Sequence, residues 1–254
     1  MTSKAVLRTE ALTRHFGGLV ANCDVTIEIH RGLLHAMLGP NGAGKSTMIN
    51  LLSGDMAPSG GRIFYKGRDI SALPADRRSR LGIGRSYQRT NIFPAFTVFE
   101  NCRLAAQSRR PHATRIFSNA LAYTPVRESA ERAMELAGLG HRAARDAGTL
   151  SHGEQRQLEI AMVLATDPQV LLLDEPLAGM GGEESSRMVE LLRRIAPEHA
   201  ILLVEHDMDA VFEVAQVVTV MVEGRVLESG PPARIRSSPA VQAAYLGGDG
   251  GSHG

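Results

Sequence analysis

Cysteine is scarce in this chain. Its 254 residues include only Cys23 and Cys102, far apart and without metal-ligand spacing, which argues against a disulfide scaffold and fits a reducing compartment. Both read as small core residues. An excess of charge is also missing: 28 Lys and Arg stand against 27 acidic residues, so the net charge of +1 supports neither a nucleic-acid footprint nor a strongly membrane-seeking surface. No apolar run approaches the roughly 20 residues that span a bilayer. The start, Met1 to Lys4, has no signal-like apolar stretch, so work at a membrane is expected to go through a docking partner. There is no internal repeat.

What is present begins with Gly39-Pro40-Asn41-Gly42-Ala43-Gly44-Lys45-Ser46-Thr47, which fits the phosphate-cradling pattern G-x-x-x-x-G-K-[S/T] at every required position. Its context is right: Leu33 to Leu38 can form a buried strand, and Ser46 to Leu52 has helical spacing that ends at Gly54. Glycines 39, 42 and 44 permit backbone angles closed to other residues, so successive N–H groups can converge on phosphate oxygens at the positive end of the helix. Lys45 is placed to reach the β- and γ-phosphates, and the Ser46 hydroxyl to ligate Mg2+. The bland alternative is a glycine-rich turn between core elements.

Residues 4 to 38 alternate apolar and polar positions, as in Val25 to Ile29, and predict antiparallel strands; Gly61 to Gly67 predicts another. From about 97 to 165 the pattern turns helical, with Thr97 as a cap for a helix through Gln107 and an amphipathic stretch over Val126 to Leu139. Between them, Arg109 to Pro125 is basic and broken by prolines. After Gln169, strands (Val170 to Leu173, Ala200 to Val204, Val217 to Val222) alternate with helices (Glu183 to Ile195, Asp207 to Ala215), which predicts a parallel sheet covered by helices. Glu223-Gly224 reads as a tight turn, short helices are expected near Pro231 and Pro239, and the glycine-rich 247–254 as a flexible tail.

The apolar run Val170 to Leu173 delivers Asp174 and Glu175. Beside a phosphate loop, the first suits Mg2+ and the second a general base for an attacking water; alone, two acids mark a strand's solvated end. Leu150-Ser151-His152-Gly153-Glu154 precedes an amphipathic helix, with Ser151 as N-cap and its free N–H groups as a natural anion site, or simply as an ordinary helix start.

In this order the motifs resemble those of the ATP-binding subunits of ABC transporters, over about residues 4 to 246. The resemblance rests on the phosphate loop, Gln88 at the end of Ile83 to Gln88, the signature-like 150–154, Asp174-Glu175, and His206 after Ile201 to Glu205. It implies an α/β fold: a P-loop NTPase (RecA-like) core over 1–90 and 166–246 with an N-terminal antiparallel β subdomain, and an inserted α-helical subdomain over 91–165. It implies that Gln88 contacts Mg2+ or the attacking water and that His206 contacts the γ-phosphate. Phe16 is the implied adenine-stacking residue, against the alternative of a core Phe. Ser151 and Gly153 would serve the ATP held by a partner subunit. Two departures stand out: His152 and Glu154 replace the usual Gly and Gln of the signature, and Leu177 to Gly181 lacks the family's subunit-contact aspartate.

Tyr87 to Asn101, the insertion at 109–125, Leu158 to Ala161, Glu205 to Met208 and the ending Pro239 to Leu246 resemble in particular the LivG-type ATPases of branched-chain amino acid importers. That implies a peripheral subunit on the cytoplasmic face of a bacterial inner membrane. Its partners would be a second ATPase (a LivF-type subunit or a copy of itself), two membrane permeases and, indirectly, a periplasmic binding protein. Phe93, Phe96 and Phe99 would help form the groove for a permease helix, or else belong to the helical core. Related systems carry urea, amides or aromatic acids. Export is disfavoured by the insertion, and a soluble role on DNA or ribosomes by the absence of long coiled coils or a second ATPase unit.

Overall fold

Strand β1 (Leu7–Phe16) turns at Gly17-Gly18 into β2 (Leu19–Val25), and the two pair antiparallel. The strand expected over Val25 to Ile29 is broken: β2 stops at Val25, and β3 (Glu28–Ile29) resumes against the start of β1. In between, one backbone bond remains, Thr9 N–H to the Ile27 carbonyl at 2.9 Å, and threonine hydroxyls take the place of others, Thr26 Oγ1 accepting from the Ala11 amide at 2.9 Å and Thr9 Oγ1 from the Ile27 amide at 3.0 Å. The wholly buried β4 (Leu34–Leu38) leads through the phosphate loop into α1 (Lys45–Ser53), which Gly54 ends in the left-handed region. Next, β5 (Gly60–Tyr65) and β6 (Arg68–Asp69) complete an antiparallel sheet in the order β2-β1-β5-β6, with β3 beside β1. The computed structural model describes residues 5–87, 91–109 and 124–246. Gln88, most of the 109–125 insertion and the 247–254 tail lie outside them.

Helix α2 (Ala75–Leu81) had no signal in its polar sequence and is anchored by one fully buried side chain. Arg78 donates through Nε to the Leu73 carbonyl at 2.8 Å, through Nη2 to Ser71 at 3.0 Å, and through Nη1 to Leu51 at 2.6 Å and Leu52 at 3.0 Å. The last two carbonyls belong to the end of α1, where a helix has no acceptor-satisfying amides of its own. Strand β7 (Ile83–Arg85) precedes the helical block of α3 (Val98–Ser108), α4 (Thr124–Leu136) and α5 (His152–Ala165). Capping boxes start two of these, Thr97 with Glu100 and Ser151 with Glu154. Helix α4 stops short of the expected Leu139 because Gly138 turns left-handed and the Leu139 amide reaches back to the Met134 carbonyl at 2.8 Å.

The remaining chain alternates: β8 (Val170–Asp174), α6 (Gly182–Ile195), β9 (Ala200–Val204), α7 (Met208–Val214), β10 (Val217–Val222), β11 (Arg225–Gly230), α8 (Pro232–Arg236) and α9 (Pro239–Leu246). The sheet order is β11-β10-β4-β9-β8-β7, parallel except for the edge strand β11. Period-two alternation divides its apolar residues between two cores. Leu171, Leu173, Ile201 and Leu203 join the helical side, continuous with α3–α5, while Leu172, Leu202 and Val204 pack with α1 and the antiparallel sheet. Cys102 lies in the first core, where burial pushes its thiol up to about 12; Cys23, on β2, is only half-buried.

Candidate nucleotide-binding site

Strands β4, β9 and β8 are neighbours in one parallel sheet, so their carboxyl ends open on one crevice, the usual ligand position in such sheets. A cleft of about 300 Å³ lies there, lined by Phe16, Leu19, Val20, Ala21, residues 41–47 and Glu175. The loop is held from outside as well as by its own glycines. At Gly44, with φ 93°, a Cβ would lie 2.3 Å from the Ala21 carbonyl oxygen, so β2 passes directly against the loop. Asn22 Nδ2 donates to the Gly44 carbonyl at 3.2 Å, and the Gly224 amide, from the turn at Glu223-Gly224, donates to Ala43 at 3.1 Å.

Lys45 is buried, and its ammonium donates to the carbonyls of Gly39 at 2.6 Å and Pro40 at 3.0 Å. Burial lowers its pKa, opposed by the carboxylates of Glu175 and Asp174. Ser46 is exposed and Thr47 half-buried on the first turn of α1. Asp174 is buried at the end of β8, and desolvation pushes its pKa up, with Arg85, whose Nη2 stands 3.6 Å from Oδ2, opposing. Asp174 Oδ1 is buried and has no hydrogen-bond partner. A partnerless carboxylate oxygen and a serine hydroxyl are hard donors of the kind Mg2+ takes. Among the described residues no cluster of three or more His, Cys, Asp or Glu could form an all-protein cage, so phosphate oxygens would complete the coordination.

Glu175 holds φ 50°, a left-handed conformation costly for a residue with a Cβ, and its amide donates to the Val204 carbonyl at 2.9 Å. Such strain persists only where the surroundings fix it, and here it turns Glu175 into the cleft. Just past the end of the neighbouring strand β9, Glu205 is fully buried and accepts from the amides of Leu177 at 2.8 Å and His206 at 3.1 Å; burial pushes its carboxyl up. His206 lies two residues beyond β9 with its side chain 61% exposed, and it does not line the cleft. Phe16 does: the residue is 41% exposed and its ring is covered on one face by the Arg14 guanidinium 4.7 Å from the centroid, which removes the core alternative.

Ser151 and Gly153 lie elsewhere, at the start of α5. Ser151 Oγ donates to Glu184 Oε1 at 2.9 Å and the Gly153 amide donates to the same oxygen at 3.1 Å. These bonds hold the Glu184 pKa down, and a Cβ at 153 would lie 2.6 Å from its carboxyl carbon. Of the two signature departures, Glu154 is used in the capping box and bonds Arg142 Nε at 3.0 Å. Further along α5, Arg156 and Glu159 form a buried pair at 2.9 Å; Arg156 donates to the Tyr87 carbonyl at 3.1 Å and Glu159 accepts from the Asn91 amide at 2.7 Å. Phe93 and Phe96 are 47% and 42% exposed and stack at 5.4 Å, whereas Phe99 packs against the helical-side core.

Asn22, Arg85, Glu184 and the Arg156–Glu159 pair join the site without having been expected from sequence. Arg85 left a faint signal, a charge closing the short apolar segment Ile83-Gly84. Asn22 and Glu184 are defined only by tertiary partners, whereas Arg156 and Glu159 stand at i, i+3 on one helix and only their burial and their bonds to Tyr87 and Asn91 come from tertiary structure.

The chain matches the ABC transporter family over residues 23–178 and the branched-chain amino acid ATP-binding cassette transporter family over residues 225–251. The high-affinity branched-chain amino acid transport ATP-binding protein BraF of Pseudomonas aeruginosa is 39% identical over 255 residues, covering 96% of this chain and 99% of that protein. LivG of Escherichia coli strain K12, with the same description, is 36% identical over 254 residues, again covering 96% and 99%. The ADP conformation of MJ1267, an ATP-binding cassette of an ABC transporter, superposes with a TM-score of 0.83 at 29% identity, covering 96% of this chain and 100% of that one.

Proposed function

Because the chain belongs to the ABC transporter family, we propose that it hydrolyses ATP to power uptake of branched-chain or related amino acids. The observation that carries the catalytic part is the placement of Glu175 in the same cleft as the phosphate loop. ATP is the substrate. The loop amides and Lys45 cradle its phosphates, Lys45 exchanging the Gly39 and Pro40 carbonyls for phosphate oxygens, and Phe16 offers its open face to adenine. Glu175 takes a proton from the water that attacks the γ-phosphorus as the bond to the β-phosphate oxygen breaks, giving ADP and phosphate. Asp174 and Ser46, with Gln88, would hold Mg2+, which supplies charge neutralisation on the β- and γ-phosphates. His206 swings to the γ-phosphate from the adjoining strand end.

Ser151 and Gly153 serve the nucleotide of a second ATPase subunit, so closure on ATP draws two subunits together and opening follows hydrolysis. The cargo assignment is supported by the similarity to BraF and LivG over nearly the whole chain and by the family match at 225–251. Among the described residues no helix is long and apolar enough to cross a membrane. The place proposed for the chain, a peripheral subunit held by two permeases at the cytoplasmic face, is supported by the similarity to BraF and LivG. Substituting Glu175→Gln is expected to retain ATP binding and lower hydrolysis by about 10²- to 10⁴-fold, the range for losing a general base. Unchanged turnover would remove Glu175 from that role. For the cargo, the ATPase reconstituted with its copurifying permeases should be stimulated by a binding protein loaded with a leucine-like amino acid; stimulation only by urea, amides or aromatic acids would replace it.

A further inference from the structure

Arg85 closes β7, and its guanidinium, only 10% exposed, is the meeting point of three elements. Nη1 donates to Ser53 Oγ at 3.0 Å on the last turn of α1 and pairs with Asp55 Oδ2 at 2.5 Å. Nη2 stands 3.6 Å from Asp174 Oδ2 at the end of β8, and the Tyr87 ring centroid lies 4.6 Å from Cζ. Asp55 is itself fixed by Ser53 Oγ at 2.7 Å, so the guanidinium is tethered on the α1 side and meets Asp174 from one side only. The carboxylate is therefore asymmetric. Oδ2 faces a cation, while Oδ1 is buried and partnerless, an arrangement that is costly unless a ligand completes it.

The geometry points to Arg85 as a positioning residue for the cation of Mg–ATP: it fixes the Asp174 carboxylate by Oδ2 and reserves Oδ1 for the metal. The inference rests on the cleft being the Mg–ATP site. Arg85 touches neither nucleotide nor metal; it acts through Asp174, as outer groups orient metal-binding carboxylates elsewhere.

The test is binding of a fluorescent ATP analogue to the full chain, measured in EDTA and across a Mg2+ titration, for wild type, Asp174→Asn, Arg85→Met and Arg85→Lys. Arg85→Met is expected to raise the Mg2+ concentration needed for half-maximal gain in affinity by about tenfold or more, to leave affinity in EDTA within about twofold, and to be partly rescued by Arg85→Lys. Equal losses with and without Mg2+ would reduce Arg85 to a structural role and overturn the proposal. So would an unchanged or lower Mg2+ requirement, as relief of charge repulsion would give. Should Arg85→Met fail to fold, Asp55→Asn frees the tether and is expected to shift the Mg2+ requirement in the same direction by less; no shift there would overturn it. If Mg2+ adds nothing to wild-type affinity, the reading of the cleft itself falls; if Asp174→Asn alone loses the Mg2+ gain, only the role of Arg85 falls.

Discussion

On β4, directly before the phosphate loop, His35 is buried with both ring nitrogens engaged: Nδ1 lies 3.1 Å from the Glu28 carbonyl and Nε2 2.7 Å from Thr219 Oγ1. The carbonyl can only accept, so Nδ1 carries the proton and Nε2 accepts from the hydroxyl. Burial, together with the charge of His30, outweighs the Glu28 hydrogen bond and lowers the His35 pKa from 6.5 to about 4. Between these values the unfolded chain binds a proton that the folded chain refuses. Stability from this residue is thus full above pH 6.5 and is lost as pH falls toward about 4. The loss should approach about 3 kcal/mol, from the shift converted at 1.36 kcal/mol per unit. Urea denaturation at pH 7.5 and pH 4.5 checks it: His35→Gln should be less acid-sensitive than wild type, and an equal loss in both would place the sensitivity elsewhere.

At the scale of elements, α5 carries the signature at its start and the Arg156–Glu159 pair one to two turns later, with the pair bonded to the chain on both sides of 88–90. Burial pushes the Glu159 pKa up, which its hydrogen bonds and Arg156 oppose. Arg156→Ala would strand that carboxylate, and the expected cost is about 3 kcal/mol, the lower end for breaking a buried pair. The urea midpoint measures it, and a change within error would show that the pair contributes nothing to holding α5. The phosphate loop, the acids at the end of β8 and both helix caps were legible from sequence, because phosphate binding, metal binding and capping each restrict residue type at fixed local spacing. Arg78 and Glu184 were not, since an arginine or glutamate in a polar stretch reads as solvated until a distant element supplies its partner; Arg85 showed only as a charge closing a short apolar segment, its partners Asp55 and Asp174 being distant in sequence. The break after Val25 was hidden for a similar reason, its threonines keeping the alternation while their hydroxyls took over part of the ladder.

For the whole molecule, the exposed pair Phe93 and Phe96 is the feature best suited to a permease contact, standing on the helical block outside both cores while Phe99 secures the segment beneath. Substituting both by Ala should abolish copurification with the permeases and spare ATP binding, and loss of ATP binding or of folding would return the pair to a structural role. The phosphate loop borders the core shared by α1 and the antiparallel sheet, to which Ala43 contributes; it follows β4 of the parallel sheet and is bonded by Asn22 of β2, which passes close against Gly44. Helix α1 ends on Arg78 rather than in water, its Leu51 and Leu52 carbonyls answered from α2. Any local opening that frays the far end of α1 must therefore release α2 with it. Amide exchange across the two helices is expected to follow a single opening equilibrium, so that a nucleotide held at the start of α1 would protect α2 as well.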